Sequence, residues 1–433
     1  MYIELGLDAA LREQYDEAVQ NFRLAREAKE PFDVEAHYVF AKSLNKIAST
    51  EMALIQEAFA ESTSAYKKDT THKLNTSLYM WLTYKCYVKN EATSRDMRMR
   101  AAQFIVDHSV QEEYSAYEVT VMKIVEYLEG LPNPNDALVL QWIDYLNPHK
   151  ISKKQFSYMR EGKRVENASA FEKWYVTKSK KLFALQQYEA CIAVIDELEQ
   201  KMHRGFTTYH YNQDAWCQRR KAKALEQLGR IDEAEKVLWA LLKKFQHSSI
   251  YYDVMCVQMQ RGQSVQALAS AAEGLLTKDG KYEHKVKIIK DCARLLYEAG
   301  MVQDSYAHYV LLQKVRARND WRADPEVEEQ ILRLAAQDAG CRPYTNKELQ
   351  QLWADWQMMQ YEEVDGIVKT ILPNGQAGFI SDKAGSDYYF NIKNSKCSMA
   401  ELPIEQHVRF RKKPSFDRAK NRDSMEAIAI IPV

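Results

Sequence analysis

The chain has 433 residues, two to three times the size of a typical domain, so its length predicts several compact units or an elongated repeat array. A hydrophobic share of 46% and a charged share of 28% exclude general disorder. Lys and Arg together number 60, as do Asp and Glu, so the overall charge does not favour nucleic acid, membranes or acidic substrates.

Glycine and proline are scarce, with 14 and 10 residues, and this scarcity predicts long helices. The seven cysteines are scattered and form no C-x-x-C pair, which is typical of proteins in a reducing cytosol. The chain starts without a signal-peptide pattern and has no apolar stretch of 18 residues. We therefore expect a cytoplasmic protein with no membrane partner.

One phrase recurs along the body: a small or polar turn, then an apolar residue, a small residue and large apolar residues at helical spacing. It begins at Glu13, Gln186, Gly229, Gly262 and Gly300. The three glycines are expected to end a helix with positive φ, and a small residue in each phrase should let the next helix approach closely. These small residues are Ala18, Cys191, Ala234, Ala267 and Ser305.

The phrases resemble tetratricopeptide repeats, whose signature combines an aromatic residue, small residues, Tyr, Ala and Phe at set offsets. The match is best from about Trp174 to Leu312, and one isolated phrase lies at Tyr15 to Ala25. The proline that usually ends the repeat is missing from most units. The resemblance implies a mainly α fold, a helical-repeat solenoid whose groove binds a protein partner that the sequence does not identify.

Two features interrupt the repeat pattern. Residues 131–150 hold three prolines and predict a break between two halves of the body. Residues 150–181 then contain ten Lys or Arg and three Glu, interleaved with Phe156, Tyr158 and Trp174. This segment is either a solvated loop followed by an ordinary amphipathic helix, or a nucleic-acid contact surface.

A turn-rich module follows residue 365. Its alternating segments predict strands at 366–372, 377–381, 387–392, 407–413 and 426–431, which suggest a small five-stranded β-barrel. It carries 11 Lys or Arg against 7 Asp or Glu, and is therefore basic.

The motifs of this module, GIVK, GFI, a Gly-Ser-Asp turn and DYYFNI, resemble the cold-shock domain in order and spacing. That family has an OB-type barrel that binds single-stranded nucleic acid, so the resemblance implies RNA or DNA as a partner. Phe379 and Tyr389 match stacking positions, and Lys369 matches a lysine that contacts the nucleic-acid backbone. Thr370, Ala377 and Asn391 replace a Trp, a Phe and a His of the family.

Strand alternation places Phe379 with Ala377, and Tyr389 with Asn391, on the outer face, while Tyr388 and Phe390 point inward. Further basic residues could contact phosphates. They are Lys393, Arg409, Arg411, Lys412, Lys413, Arg418, Lys420 and Arg422.

The sequence also predicts where one part of the chain ends and the next begins. Between body and barrel, Thr345 and Asn346 predict the start of a capping helix in which Trp353 and Trp356 belong to the core. The predicted organisation is degenerate repeats at 1–130, a connecting segment at 131–170, repeats at 171–340, a capping or linker helix at 341–365 and the barrel at 366–433.

No motif of a catalytic or metal site stands out. The ten histidines form no metal-binding pattern, and GLLTKDGK at 274–281 fails the spacing of a phosphate-binding loop. We therefore expect a non-enzymatic adaptor without a cofactor, which binds single-stranded nucleic acid by the barrel and a protein by the solenoid. It could serve a nucleic-acid-processing or prokaryotic defence system. The alternative is a pure protein-interaction scaffold whose barrel has lost its ligand.

Overall fold

The computed structural model describes residues 1–202, 210–417 and 422–433. It contains two compact units, Met1–Ala224 and Leu225–Val433. As the sequence predicts, the chain is mainly α, with TPR-like helical repeats followed by a closed five-stranded β-barrel.

The first unit consists of helices and one small β-hairpin. Its elements are α1 (Tyr2–Leu11), α2 (Tyr15–Glu27), α3 (Val34–Ile47), α4 (Met52–Lys68), α5 (Lys73–Thr83), α6 (Arg95–His108), α7 (Ala116–Glu129), α8 (Asp136–Ile143), β1 (Phe156–Arg160), β2 (Lys163–Asn167), α9 (Ala170–Ala184) and α10 (Tyr188–Met202). A π-helical turn, Tyr84–Val88, continues α5. The division between the units falls within α11 (Gln213–Gln227).

The second unit contains the remaining helices and the barrel. Its elements are α12 (Ile231–Leu242), α13 (Ser248–Gln260), α14 (Ser264–Leu276), α15 (Val286–Glu298), α16 (Val302–Arg318), α17 (Pro325–Gln337), α18 (Asn346–Met359), β3 (Glu363–Ile371), β4 (Ala377–Asp382), β5 (Asp387–Asn391), β6 (His407–Asp417) and β7 (Arg422–Pro432).

The turns and small residues of the repeat phrases act as predicted. Gly229, Gly262 and Gly300 have φ of 72°, 69° and 76° and follow the ends of α11, α13 and α15. The five predicted small residues are all fully buried. The Ser305 hydroxyl donates to the carbonyl of Ala293 on the preceding helix at 2.8 Å, so a small residue at this position brings the two helices close together.

The segment 131–150 differs from the predicted break. Helix α8 lies within it, and Val139, Trp142 and Ile143 pack in the same core as α7 and α9. Asn135 caps α8 by accepting a hydrogen bond from Leu138 N at 3.0 Å. Prolines therefore flank a short helix here without interrupting the packing. The domain boundaries themselves stay predictions.

The basic segment after residue 150 differs from the predicted solvated loop, because β1 and β2 pair there as an antiparallel hairpin. Its turn residues Glu161 and Gly162 both have positive φ, 51° and 76°, which is the type I′ geometry that suits a two-residue hairpin. Helix α9 then begins after Ser169, whose hydroxyl accepts from Glu172 N.

Helix α18 starts where predicted, with a capping box between Thr345 and Glu348. Trp353 and Trp356 are buried, as expected of core residues. The helix packs mainly against α14, however, and less against α17, which immediately precedes it. It therefore covers an earlier helix of the unit and does not simply close the end of the array.

The barrel has the strand order β3-β4-β5-β7-β6 and is closed by pairing of β6 with β3. All pairs are antiparallel except β5 with β7, which run parallel. Val368, Ile380, Phe390 and Phe410 fill its core. Strand β3 begins at Glu363, three residues earlier than predicted, because Glu363 and Val364 pair with Arg411 and Phe410 of β6.

The barrel contacts the helices of its own unit. Lys396 Nζ lies 2.8 Å from an Asp355 carboxylate oxygen of α18. The Arg411 guanidinium donates to the carbonyl of Tyr361 at 2.9 Å. These contacts fix the segment that joins α18 to β3. In the described part of the chain, no helix combines the length and apolar character that crossing a membrane requires.

Candidate nucleic-acid interface

The candidate site is the outer face of β4 and β5. Phe379 and Tyr389 are opposite each other in the antiparallel register, and their rings meet edge to face with centroids 5.9 Å apart. Tyr389 is 38% exposed and Phe379 is half-buried, whereas Tyr388 and Phe390 are buried. The predicted in-out alternation is therefore confirmed for all four aromatic residues.

A glycine allows β4 to lie close to β3 behind this face. A Cβ atom on Gly378 would lie 2.2 Å from the carbonyl oxygen of Thr370 and 2.6 Å from the Phe390 ring. No larger residue fits at this position without moving the backbone. Gly378 thus allows β4, the strand that carries Phe379, to lie close to β3.

Lys369 reaches the aromatic face from a β-bulge. The β3–β4 register shifts between Val368 and Thr370, so Lys369 is the extra residue. Its Nζ lies 2.7 Å from an Asp387 carboxylate oxygen, and Ser381 Oγ donates to the other oxygen of that carboxylate. The Lys369 ammonium lowers the pKa of Asp387, with the Ser381 hydroxyl as the next contribution. Asp387 thus links β5 to β3 through Lys369 and to β4 through Ser381, two residues before Tyr389.

One predicted position of the face, Ala377, differs from expectation. Ala377 is fully buried, although alternation places it outward. Its side chain is a single methyl group, and neighbouring strands lie on both sides of it. Asn391 of β5 is opposite Ala377, and Leu372 N, which follows β3, donates to the Ala377 carbonyl at 2.8 Å. Asn391 is half-buried, and its side-chain oxygen accepts from Lys393 N at 3.0 Å. Lys393 is exposed in the turn Ile392–Asn394 that follows β5.

The basic residues of β6 do not lie on the aromatic strands. Strand β6 pairs with β3 and β7, and not with β4 or β5. Arg409 lies 3.1 Å from Asp365, and Arg411 lies 2.8 Å from Glu363. Both acidic partners belong to the part of β3 that precedes residue 366, so they were left out of the predicted basic module.

Lys412 and Lys413 also have acidic neighbours. Lys412 lies 3.2 Å from Asp382 and 4.9 Å above the Tyr388 ring, and its side chain is only 16% exposed. Lys413 is opposite Glu426 in the β6–β7 register. Arg418, Lys420 and the side chain of Arg422 lie outside the described part of the structure. The structure thus places Lys369 at the Asp387 carboxylate of β5, Lys393 in the turn after β5, and the described β6 cations on a strand that pairs with neither β4 nor β5.

Sequence reasoning missed two acidic residues of this face. Asp387 is two residues before Tyr389 on the same side of β5, and Glu426 is opposite Tyr389 on the parallel strand β7. The alternation that placed Tyr389 outward could have found Asp387. The position of Glu426 depends on the pairing of β5 with β7, which no local pattern specifies. Both carboxylates oppose phosphate binding beside the aromatic rings.

Comparison with known families and proteins gives limited matches. Residues 215–348 match the model of a family described as a domain of unknown function, DUF7017. The search of curated proteins gave no match.

Several solved structures are similar to parts of the chain. A human IFIT1 dimer with PPP-AAAA is 11% identical, with a TM-score of 0.36 over 82% of this chain and 78% of that one. The Rap conjugation gene regulator of plasmid pLS20, in complex with the Phr* peptide, is 13% identical, with a TM-score of 0.34 over 76% and 84%. TPR-like repeats of a Podosopora anserina kinesin light chain are 15% identical, with a TM-score of 0.32 over 43% and 94%. At these low scores, the likenesses carry no inference about ligands.

Proposed function

We propose that the chain is a non-enzymatic adaptor whose barrel binds single-stranded RNA or DNA on the Phe379–Tyr389 face, while its helical repeats bind a protein partner. The observation that carries the proposal is the pair of outward-facing rings on two paired strands, of which Tyr389 is exposed and Phe379 is half-buried. Unpaired bases stack on such rings, and each base stacked contributes about 1–3 kcal/mol.

Two further observations support this assignment. A closed five-stranded barrel is the architecture of OB-fold domains, and the motifs along β3, β4 and β5 follow the cold-shock order. Lys369 pairs with Asp387 on the strand of Tyr389, and the exposed Lys393 follows that strand, so both can supply positive charge for the phosphates. Stacked helix pairs with small residues at their contacts form the extended surfaces on which solenoids bind proteins.

The charges around the rings define what kind of binding to expect. Asp387 and Glu426 offset Lys369 and Lys393, so stacking contributes more than phosphate contacts. We therefore expect modest affinity with a shallow dependence on salt, in contrast to proteins that neutralise many phosphates. This near-equal number of negative and positive charges around the rings also favours the second candidate, a protein-interaction scaffold whose barrel no longer binds nucleic acid.

Fluorescence anisotropy with the full chain separates the two candidates. Labelled 12-nucleotide oligo-dT and oligo-U are titrated at 50 and 200 mM salt, using wild type and the double variant Phe379→Ala/Tyr389→Ala. The proposal predicts at least a tenfold loss of affinity in the double variant at both salt concentrations.

The matched control is Trp239→Ala/Trp321→Ala, which removes two aromatic side chains of similar exposure, 38% and 41%, outside the barrel. It should bind like wild type. Equal affinity of all three proteins for both oligonucleotides, or no binding by wild type, would support the scaffold alternative.

A further inference from the structure

The β1–β2 hairpin is an excursion whose two ends are fastened in the core of the first unit. The Ser152 carbonyl accepts a hydrogen bond from Phe171 N at 3.1 Å, which brings the start and end of the excursion together. Ser152 N donates in turn to the buried carboxylate of Glu118 at 2.8 Å. The residues between Ser152 and Ser169 therefore form an excursion from the helical array whose two ends meet at one point.

The hairpin has a defined shape but no core of its own. Five residue pairs, from Phe156–Asn167 to Arg160–Lys163, form its ladder. It makes a sheet of two strands only, and every described strand residue except Val165 is exposed. Tyr158 and Met159, on opposite faces, are 46% and 66% exposed. A two-stranded ribbon gains little stability in water, so its contribution to folding does not explain its presence.

Positive charge dominates the ribbon and its base. The cations are Arg160, Lys163 and Arg164 around the turn, and Lys150, Lys153 and Lys154 before the first strand. The two glutamates of the ribbon, Glu161 and Glu166, lie 3.9 Å from Arg160 and 3.2 Å from Arg164, and Glu166 also lies 3.9 Å from His210. The two arginine pairs are on the surface, where such pairs contribute little and exchange readily for a polyanion.

We propose that this ribbon binds double-stranded DNA by entering its major groove. The excess of cations at the tip complements a polyanion, and the major groove of B-form DNA, about 12 Å wide, admits a two-stranded β-ribbon. The corresponding groove of double-stranded RNA is too narrow and deep for side chains to read. Tyr158 and Met159 bring an aromatic and an apolar side chain to the two faces of the ribbon. The inference does not depend on the barrel.

The test uses the full chain and a blunt 20-base-pair DNA duplex, in a Phe379→Ala/Tyr389→Ala background that removes binding by the barrel. Association constants are measured between 50 and 200 mM salt for this background and for a tip variant, Arg160→Ala/Lys163→Ala/Arg164→Ala. Loss of three phosphate contacts should make the negative slope of log K against log salt shallower by about 2.7 and reduce affinity at 50 mM at least tenfold. A charge-conserving variant, Arg160→Lys/Arg164→Lys, should keep the slope.

The matched control removes three exposed lysines of the same unit that lie outside the hairpin, Lys67→Ala/Lys73→Ala/Lys89→Ala, and should leave the slope unchanged. Equal slopes for the tip variant and this control would overturn the proposal. The proposal would also be overturned if a blunt RNA duplex bound as tightly as the DNA duplex and lost as much affinity in the tip variant. Binding would then not depend on the width of the DNA major groove. Unchanged helical circular dichroism of the tip variant shows that the comparison concerns folded protein.

Discussion

The indole Nε1 of Trp353 donates a 2.9 Å hydrogen bond to Nε2 of His308, and both side chains are fully buried. The His308 Nδ1 lies 2.7 Å from the Asp304 carbonyl, so Nδ1 donates and Nε2 accepts. The histidine is therefore neutral. The Trp356 ring stacks on the imidazole with centroids 5.4 Å apart. Helix α18 is thus joined to α16 by a polar contact that requires one protonation state.

Acid should weaken this contact. Burial lowers the pKa of His308 to about 4, compared with about 6.5 in the unfolded chain. The unfolded state therefore binds one proton more than the folded state between these values, and stability falls as the pH decreases from 6.5 towards 4. We expect His308 to account for a loss of about 2 kcal/mol between pH 8 and pH 5, measured by urea denaturation.

His308→Gln should be less stable than wild type at pH 8. Its stability should not show the loss between pH 8 and pH 5 that we assign to protonation of His308. The matched control, His149→Gln, changes an exposed histidine and should keep the wild-type pH profile. A His308→Gln variant whose stability falls with pH as steeply as wild type would contradict the assignment.

Glu426 should oppose nucleic-acid binding, because it lies opposite Tyr389 on the neighbouring strand. Glu426→Gln removes a negative charge beside the stacked base, and should raise affinity for single strands about two- to fivefold at 50 mM salt. At 200 mM the gain should shrink, because screening shortens the range of the repulsion. Anisotropy titration measures both values. Glu329→Gln, an equal charge change on exposed α17, should have no effect.

The barrel could be predicted from the sequence because its signals are local. Gly375 and Gly385 take positive φ in the turns around β4, and the alternation of Tyr388, Tyr389 and Phe390 gives the correct faces. The net charge of the barrel could not be predicted in the same way. Strand β3 starts at Glu363 because this residue pairs with Arg411 of β6, and no local pattern shows such a pairing.

The position of α18 could not be predicted because it depends on which helix faces meet. Helix α14 has one charged residue, Glu273, and most of its residues, including Ala272, are buried. This scarcity of charged residues indicates that another element covers α14, although it does not identify α18. The hairpin could not be predicted because, among its described strand residues, Val165 alone is partly buried, so no buried apolar face marks the two strands.

Asp382 should stabilise the β4–β5 turn above about pH 4. Its carboxylate accepts from the backbone N–H groups of Ser386 and Ala384, both at 2.9 Å, and from the Tyr388 hydroxyl. These hydrogen bonds, that from Ser386 first, lower the pKa of Asp382 to about 2. Because the folded-state pKa lies below the unfolded value, the contribution is present above pH 4 and is lost as the pH falls through 2.

Asp382→Asn should therefore be less stable than wild type at pH 7, and the difference should narrow between pH 4 and pH 2. Hydrogen exchange of peptides from β4 and β5 measures the local stability. The exposed residue Glu405 provides the control, since Glu405→Gln should leave this exchange unchanged. A difference between Asp382→Asn and wild type that stays constant with pH would show that the charge of Asp382 is not responsible.

Gly378→Ala should disrupt the barrel without unfolding the helices. The added Cβ would lie 2.2 Å from the Thr370 carbonyl oxygen, so β3 and β4 must separate, and we expect a loss of more than about 3 kcal/mol. The comparison variant is Gly375→Ala, where φ is 60° but no atom lies within 4 Å of the new methyl group, so the cost should be about 1 kcal/mol. Hydrogen exchange should show lost protection in β3, β4 and β5 for Gly378→Ala only, with α15 and α16 unchanged. Equal protection in the two variants would mean that the strands can separate at this point at little cost.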